Sequence, residues 1–434
     1  AARTWSQAQA KKTMRKILLL AASVLFSSGV GAFVPSVGRL AGGSRFVSRQ
    51  TSPQAGGKVL PVPVSRGAGA VGSRRVGGGV LSCTAKLEDK YWEWNGYKTR
   101  YQSAGEDNDG PSLLLVHGFG GNADHWRKNT QVLADQGFRV FAIDMIGYGF
   151  SDKPDPQGMS SVNGELKRDL SSYMRFAKEG TPSWGPVGTT HFTDMAHPLG
   201  SGYNFYTWAD QLADFSREVI ADSKGVFPVC NSIGSCAGLQ FAIDCPKDVR
   251  GVVICDPSLR MLNVKRQSPL GTPFVSALQT LLRETSIGEA FFGVVATEDT
   301  VRNVLKQAYC DASTVTDELV AAILNPGKTE NAPRVFLDFI SYSAGPLPEE
   351  QLEVLSSTEY AGADGKPSIP VSILWGDKDP WEPVETGKVY GDYDCVDQFE
   401  VLEGVGHCPQ DEAPQLVNPL VTSFVRKHSG VTVK

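Results

Sequence analysis

A serine, an aspartate and a histidine occur in that order along the chain, each in a turn that follows an apolar run. Ser232 lies in Val-Cys-Asn-Ser-Ile-Gly-Ser (Val229 to Ser235), Asp379 in Leu-Trp-Gly-Asp-Lys-Asp-Pro-Trp (Leu374 to Trp381) and His407 in Glu-Gly-Val-Gly-His-Cys-Pro (Glu403 to Pro409). A serine hydroxyl is a weak nucleophile until a base takes its proton, and the base needs an acid to hold its ring and tautomer. These residue types point to nucleophilic catalysis, with Ser232 as nucleophile, His407 as base and Asp379 as orienting acid. Asp377, two residues earlier, and Asp256, in Cys-Asp-Pro-Ser, are rival acids.

A hydroxyl exposed on a tight strand-to-helix turn needs small neighbours, because side chains two residues away on either side collide. Gly234 meets that need, and Cys230 and Ser235 stand at further small positions. Cys230 occupies a packing position, which argues against it as the nucleophile. His117-Gly-Phe-Gly-Gly121 follows another apolar run. Glycines there let the backbone curl, so that the N–H groups of Phe119 and Ile233 become the candidate oxyanion donors. Trp126 and His117 are candidate substrate-pocket residues, and Trp381 is a further candidate wall. His117 and His125 also fit structural roles beside the oxyanion loop.

The surrounding pattern supplies the elements. Tyr91 to Tyr101 alternates apolar and polar residues around Asn95-Gly96, which predicts a hairpin with a primed turn. Continuous apolar runs at Ser112–Val116, 138–143, 226–230, 249–255, 371–375 and 397–402 predict strands buried on both faces of a parallel sheet. Helical spacing recurs at Trp208, Leu212, Phe215 and Val219, and again at Val417, Leu420, Val421, Phe424 and Val425. Alternating strands and helices give a mostly parallel, doubly wound sheet. Two stretches interrupt the alternation. Residues 259–368 read mainly as helices and are expected to form a cap. Residues 155–205 read as a polar, irregular insertion. The core is then 87–258 and 369–434.

Of 42 Lys and Arg in the 434 residues, 13 lie before Glu88, the first acidic residue. That leaves 29 basic against 47 acidic residues from Glu88 onward, about −18. An acidic body excludes the positive footprint that nucleic-acid binding needs. The eight cysteines show neither C-x-x-C nor zinc-ligand spacing, and read as small buried hydrophobes in a reducing compartment. No metal or organic cofactor is implied. Residues 1–86 read as a cleaved bipartite leader. A basic start, an apolar run from Ile17 to Phe26 and small residues to Ala32 form a signal peptide over about 14–32, and an acid-free stretch rich in Ser, Gly, Val and Arg forms a transit peptide over about 33–86.

From about Trp92 to Val425 the chain resembles the α/β-hydrolase superfamily. The resemblance is carried by His117-Gly-Phe-Gly-Gly, Ile143-Asp-Met-Ile-Gly-Tyr-Gly-Phe-Ser-Asp-Lys-Pro154, Asn231-Ser-Ile-Gly, Leu374-Trp-Gly-Asp-Lys-Asp-Pro-Trp and Gly406-His-Cys-Pro-Gln-Asp-Glu412. It implies a mostly parallel eight-stranded sheet with helices on both faces and an inserted helical cap. Asn231 before the serine, Trp381 after Asp-Pro and the Gly-His-Cys-Pro segment look like plastid hydrolases of the pheophytinase and chlorophyll-dephytylase group. That group cleaves the phytol ester of chlorophyll-type pigments, which implies a small hydrophobic ester as substrate and leaves peripheral contact with thylakoids open. A monomer and a homo-oligomer are both open. Carbon–carbon bond hydrolases share the scaffold and the serine, so they stay open as alternatives, beside another carboxylesterase or lipid hydrolase and a non-catalytic pigment or lipid binder. The leader, with Phe33 at its junction, resembles the presequences of algae with secondary plastids, imported through the endoplasmic reticulum.

Overall fold

The hairpin forms where Asn95 and Gly96 both adopt positive φ (51° and 81°), the conformation a two-residue primed turn requires. It joins β1 (Lys90–Trp94) to β2 (Tyr97–Ala104), and β2 pairs antiparallel with β4 (Arg139–Ile143). In the computed structural model the described residues are 87–156, 201–266, 272–362, 365 and 367–430. The leader, 1–86, lies outside them, and so does 157–200 of the insertion expected at 155–205.

Five parallel pairings complete the sheet through β3 (Ser112–Val116), β5 (Val226–Ser232), β6 (Val252–Pro257), β7 (Val371–Gly376) and β8 (Val396–Leu402). The order is β1-β2-β4-β3-β5-β6-β7-β8, the eight-stranded, mostly parallel sheet expected from the alternating pattern. Strand alternation splits β3 between two cores. Leu114 and Val116 join one apolar cluster with Phe141, Trp208, Ile233 and Ile254. Leu113 and Leu115 join the other, with Phe227, Val253, Val417 and Phe424. Each such fully buried side chain contributes about 1.5–3 kcal/mol of transfer free energy.

Helices cover both faces. They include α1 (Thr130–Asp135), α2 (Phe205–Phe215) and α3 (Ile233–Asp244), which follows β5 directly. Asn204 caps α2 by accepting from the N–H groups of Tyr206 and Thr207. The stretch between β6 and β7 holds α4 (Thr272–Glu284), α5 (Ser286–Val295), α6 (Glu298–Ala308), α7 (Asp317–Leu324), α8 (Ala332–Ile340) and α9 (Pro348–Leu355). The last of these packs apart from the others. Leu352 and Leu355 pack in the sheet's own apolar cluster, and Gln351 bonds to the Cys236 carbonyl on α3. The helix α9 therefore belongs with the sheet. The chain closes with α10 (Pro414–Ser429), where Pro414 sits in the first turn, a place where its missing N–H costs nothing.

A buried charge cluster fixes the loops that frame the carboxyl ends of β3 and β4. The Arg100 guanidinium, 1 % exposed, pairs with Asp89 (2.6 Å), Asp124 (3.0 Å) and fully buried Asp144 (3.1 Å). Asp144 also accepts from the N–H of Ala123 (2.6 Å) and of Phe150 (2.8 Å). A buried carboxylate robbed of its cation costs about 3–5 kcal/mol, so this cluster holds both loops against the sheet.

Candidate active site

The strand β5 runs straight into α3 at Ser232, whose backbone adopts φ 54° and ψ −122°. A non-glycine residue held there is strained, and the strain turns its side chain out of the sheet edge. The neighbours make room. A Cβ on Gly234 would lie 2.5 Å from the His117 carbonyl oxygen, and one on Gly118 would lie 2.9 Å from the Cβ of Ser232. The loop after β3 is thereby drawn against the serine. Ile233 opens α3, among the first-turn N–H groups that have no partner inside a helix. Phe119 lies in the adjoining loop.

His407 Nε2 is 3.0 Å from Ser232 Oγ, and its Nδ1 is 2.6 Å from Asp379 Oδ2. The other Asp379 oxygen accepts from the N–H groups of Trp381 (2.8 Å) and Glu382 (3.0 Å), which fixes the carboxylate plane. Asn231 Nδ2 donates to the carbonyls of Cys255 (3.2 Å) and His407 (3.1 Å), so the residue before the serine holds the histidine loop. At the end of α6, the Ala308 carbonyl accepts from the His407 N–H at 2.8 Å. Of the three acids, Asp379 is the one bonded to the histidine. Asp377 turns outward to Lys378 and the Gly404 N–H. Asp256 accepts from the Gly376 N–H, and burial, reinforced by the charge of Asp379, pushes its carboxyl well up, towards the neutral form. Burial works against a charged His407, but the charge and hydrogen bond of Asp379 outweigh it and raise the imidazole above its ordinary value. Asp256, Asp379 and His407 offer ligand atoms within 4.8 Å of one another. They could gather on a metal only by breaking the bonds just described.

These groups open into a cavity of about 330 Å³. Its wall is mainly apolar, with Phe292, Val295, Val301, Val304, Phe336 and Phe339 from α5, α6 and α8 together with Phe119 and Ile233. Phe119 stacks on Phe339 at 5.0 Å, and Trp381 lies over His407 at 5.0 Å between ring centroids. Trp381 lines the cavity. Trp126 does not: it is 1 % exposed and packs with Leu113, Leu133 and Val405 in the other core. His117 is also off the wall. Its Nε2 accepts from the Met145 N–H and its Nδ1 donates to the Gly118 carbonyl, so both nitrogens are spent on backbone. Proximity to the glycine loop suggested both residues for the pocket, but their side chains turn inward. His125 does line it, held through Tyr309 to Asp411.

Residues 113–420 match the alpha/beta hydrolase family. The chain belongs to that family. It is 27 % identical over 353 residues to the chloroplastic pheophytinase of Arabidopsis thaliana, covering 79 % of this chain and 67 % of that one. It is 22 % identical over 325 residues to a 2-hydroxy-6-oxononadienedioate/2-hydroxy-6-oxononatrienedioate hydrolase of Cupriavidus pinatubonensis, covering 72 % of this chain and 86 % of that one. Among solved structures, the epoxide hydrolase CorEH superposes with a TM-score of 0.51 at 17 % identity, covering 79 % and 99 % of the two chains.

Within this alpha/beta hydrolase the turn has its own packing solution. Cys230 is fully buried, and its Sγ fills the space over Gly238, where a Cβ would approach to 2.4 Å. Burial pushes the Cys230 thiol well up, away from the thiolate form. Two polar residues of the wall, Arg260 and Glu382, carry no spacing signal in the sequence and emerge only from the fold. Gly238→Ala is expected to destabilise the chain by roughly 1–3 kcal/mol through overpacking against the sulfur. In a Cys230→Gly background the same change should be neutral or stabilising, as alanine for glycine normally is inside a helix. Urea denaturation of the four chains in the cycle measures this; equal costs in both backgrounds would reject the contact.

Proposed function

We propose that the chain hydrolyses esters of hydrophobic compounds through an acyl-enzyme on Ser232. The hydrogen-bonded series Ser232–His407–Asp379, opening into an apolar cavity, carries this reading. Ser232 Oγ attacks the ester carbonyl while His407 Nε2 takes its proton. The Phe119 and Ile233 N–H groups stabilise the oxyanion, an effect for which one donor is worth roughly 10²–10³ in rate. His407 then gives the proton to the departing alkoxide, and water, deprotonated by the same imidazole, releases the acid. Asp379 holds the ring and supports its positive charge. The substrate class proposed is the phytol ester of chlorophyll-type pigments, supported by likeness to the plastid pheophytinase. Plastid import through the leader is proposed on the same likeness and on the leader's composition. Trp126 and His117 are left out of the substrate contacts.

Three outcomes test the proposal. The full chain incubated with chlorophyll a, pheophytin a and a nitrophenyl ester should release phytol, and Ser232→Ala should lower that release by at least about 10³-fold. Release of nitrophenol alone would discard the pigment assignment, and undiminished turnover in Ser232→Ala would discard the nucleophile. The base must be neutral to accept a proton, so kcat/KM should rise with pH along a limb centred above the ordinary histidine value of about 6.5. Asp379→Asn should lower the rate by roughly 10³–10⁴-fold and shift that limb to lower pH, measured as a pH–rate profile. Residues 1–86 fused to a fluorescent protein should enter the plastid of a diatom, with Phe33→Ala stalling import; diffuse cytosolic signal from the unaltered leader would reject the targeting.

A further inference from the structure

His407 and α6 are joined by more than the bond to Ala308. Two residues after the histidine comes a single turn, Pro409–Glu412, in which the Glu412 N–H returns to the Cys408 carbonyl at 2.9 Å. That turn brings the Glu412 side chain back to the peptide the chain has just left. Its Oε2 accepts from the Gly406 N–H at 2.7 Å, and its Oε1 accepts from the N–H of Asp311, just past α6, at 2.6 Å. An ionised carboxylate can serve two donors at once, because each oxygen is an acceptor. The backbone around His407 is thus held at three points. Its own N–H reaches the Ala308 carbonyl (2.8 Å), its carbonyl accepts from Asn231 Nδ2 (3.1 Å), and the N–H one residue earlier is held by Glu412. The first and the last of these lead to residues 308–311. Glu412 is no part of the cavity wall, so contact with a substrate does not explain its place.

We propose that Glu412 is a positioning residue for the His407 imidazole: it sets the ring's reach to Ser232 by fixing the peptide before the histidine against the end of α6. The inference rests on the reading of His407 as the base. Bonds from backbone N–H groups to a carboxylate are shorter and stronger than neutral ones, which suits a tie that must hold a ring still. The ring has little freedom to lose, since it must keep Ser232 Oγ at 3.0 Å and Asp379 Oδ2 at 2.6 Å together. A misplacement of about 1 Å costs on the order of 10²-fold in rate. Glutamine in place of Glu412 would set an amide NH₂ against one of the two N–H donors, and that tie would be lost. The rest of the contact does not depend on Glu412. Leu305, Tyr309 and Cys408 pack in one apolar cluster with Trp381 against it, and Tyr309 Oη donates to Asp411 Oδ2 at 2.9 Å. Loss of the carboxylate should therefore loosen the ring without detaching α6.

The test compares the full chain with its Glu412→Gln variant on the nitrophenyl ester, with rates counted per serine labelled to completion by a fluorophosphonate. The kcat per labelled site should fall about 10- to 100-fold while KM stays within about twofold. The proton on His407 Nδ1, shared with Asp379, should also shift in the low-field proton NMR spectrum. A contact that only stabilises the chain would lower the thermal transition and the labelled fraction but leave kcat per site and the proton signal unchanged, and that result would overturn the proposal. A rise in KM at constant kcat would overturn it too, by putting Glu412 in substrate binding. Should Glu412→Gln not fold, Glu412→Asp, too short to span both N–H groups, is read in the same way. Failure of the hydrolase reading itself shows up separately, as nitrophenyl turnover by the natural chain that is absent or survives Ser232→Ala; the proton signal reads the positioning even then.

Discussion

Backbones meet at the carboxyl edge of the sheet more closely than side chains allow, and the site exists only because of that approach. Gly118 comes against Ser232, Gly234 against the carbonyls of Val116 and His117, Gly376 against Val405 and Gly406, and Gly406 against the carbonyl of Ala308. At each of these four places a Cβ would sit within 3.0 Å of its neighbour. The glycines thus tie the ends of β3, β5 and β7, the histidine loop and the cap into one contact set. The strained Ser232 backbone is tolerable because everything around it is fixed in this way.

Electrostatics works on the framework that sterics sets. Of the two carboxyls beside the histidine, the one with two backbone donors on its far oxygen bonds to the ring, and burial pushes its neighbour Asp256 well up, towards the neutral form. Two adjacent buried carboxyls cannot both stay ionised cheaply, so one supplies charge and the other does not. The same burial that neutralises Asp256 raises Glu382 to about 7 and pushes the Cys230 thiol up.

How much of this can be read from the chain depends on whether a feature is local. The parallel sheet is legible because strands buried on both faces leave unbroken apolar runs, and the Asn95-Gly96 turn because few residues tolerate its dihedrals. The order Ser232, Asp379, His407 is legible because each sits in a turn of small residues. Side-chain direction is not local. Trp126 and His117 lie beside the right loop but turn into the core, and nothing in their spacing says so. The helix α9 reads like the helices before it, and only the fold shows Leu352 and Leu355 meeting the sheet's core. Glu382 between Trp381 and Pro383 looks like a solvated turn acid, and only the fold puts it on the cavity wall.

The bond from the His407 peptide to the Ala308 carbonyl has a different kind of consequence. It joins His407 to α6 through main-chain atoms on both sides, so no side chain encodes it. Substitutions along the outer face of α6 leave the bond in place. An insertion or deletion of one residue would rotate the terminal carbonyl by about 100° and remove it. The helix is therefore tolerant in composition and intolerant in length. Related chains could change much of its surface while their length there stayed constant, and a graft from another cap would succeed or fail on its residue count before its chemistry mattered.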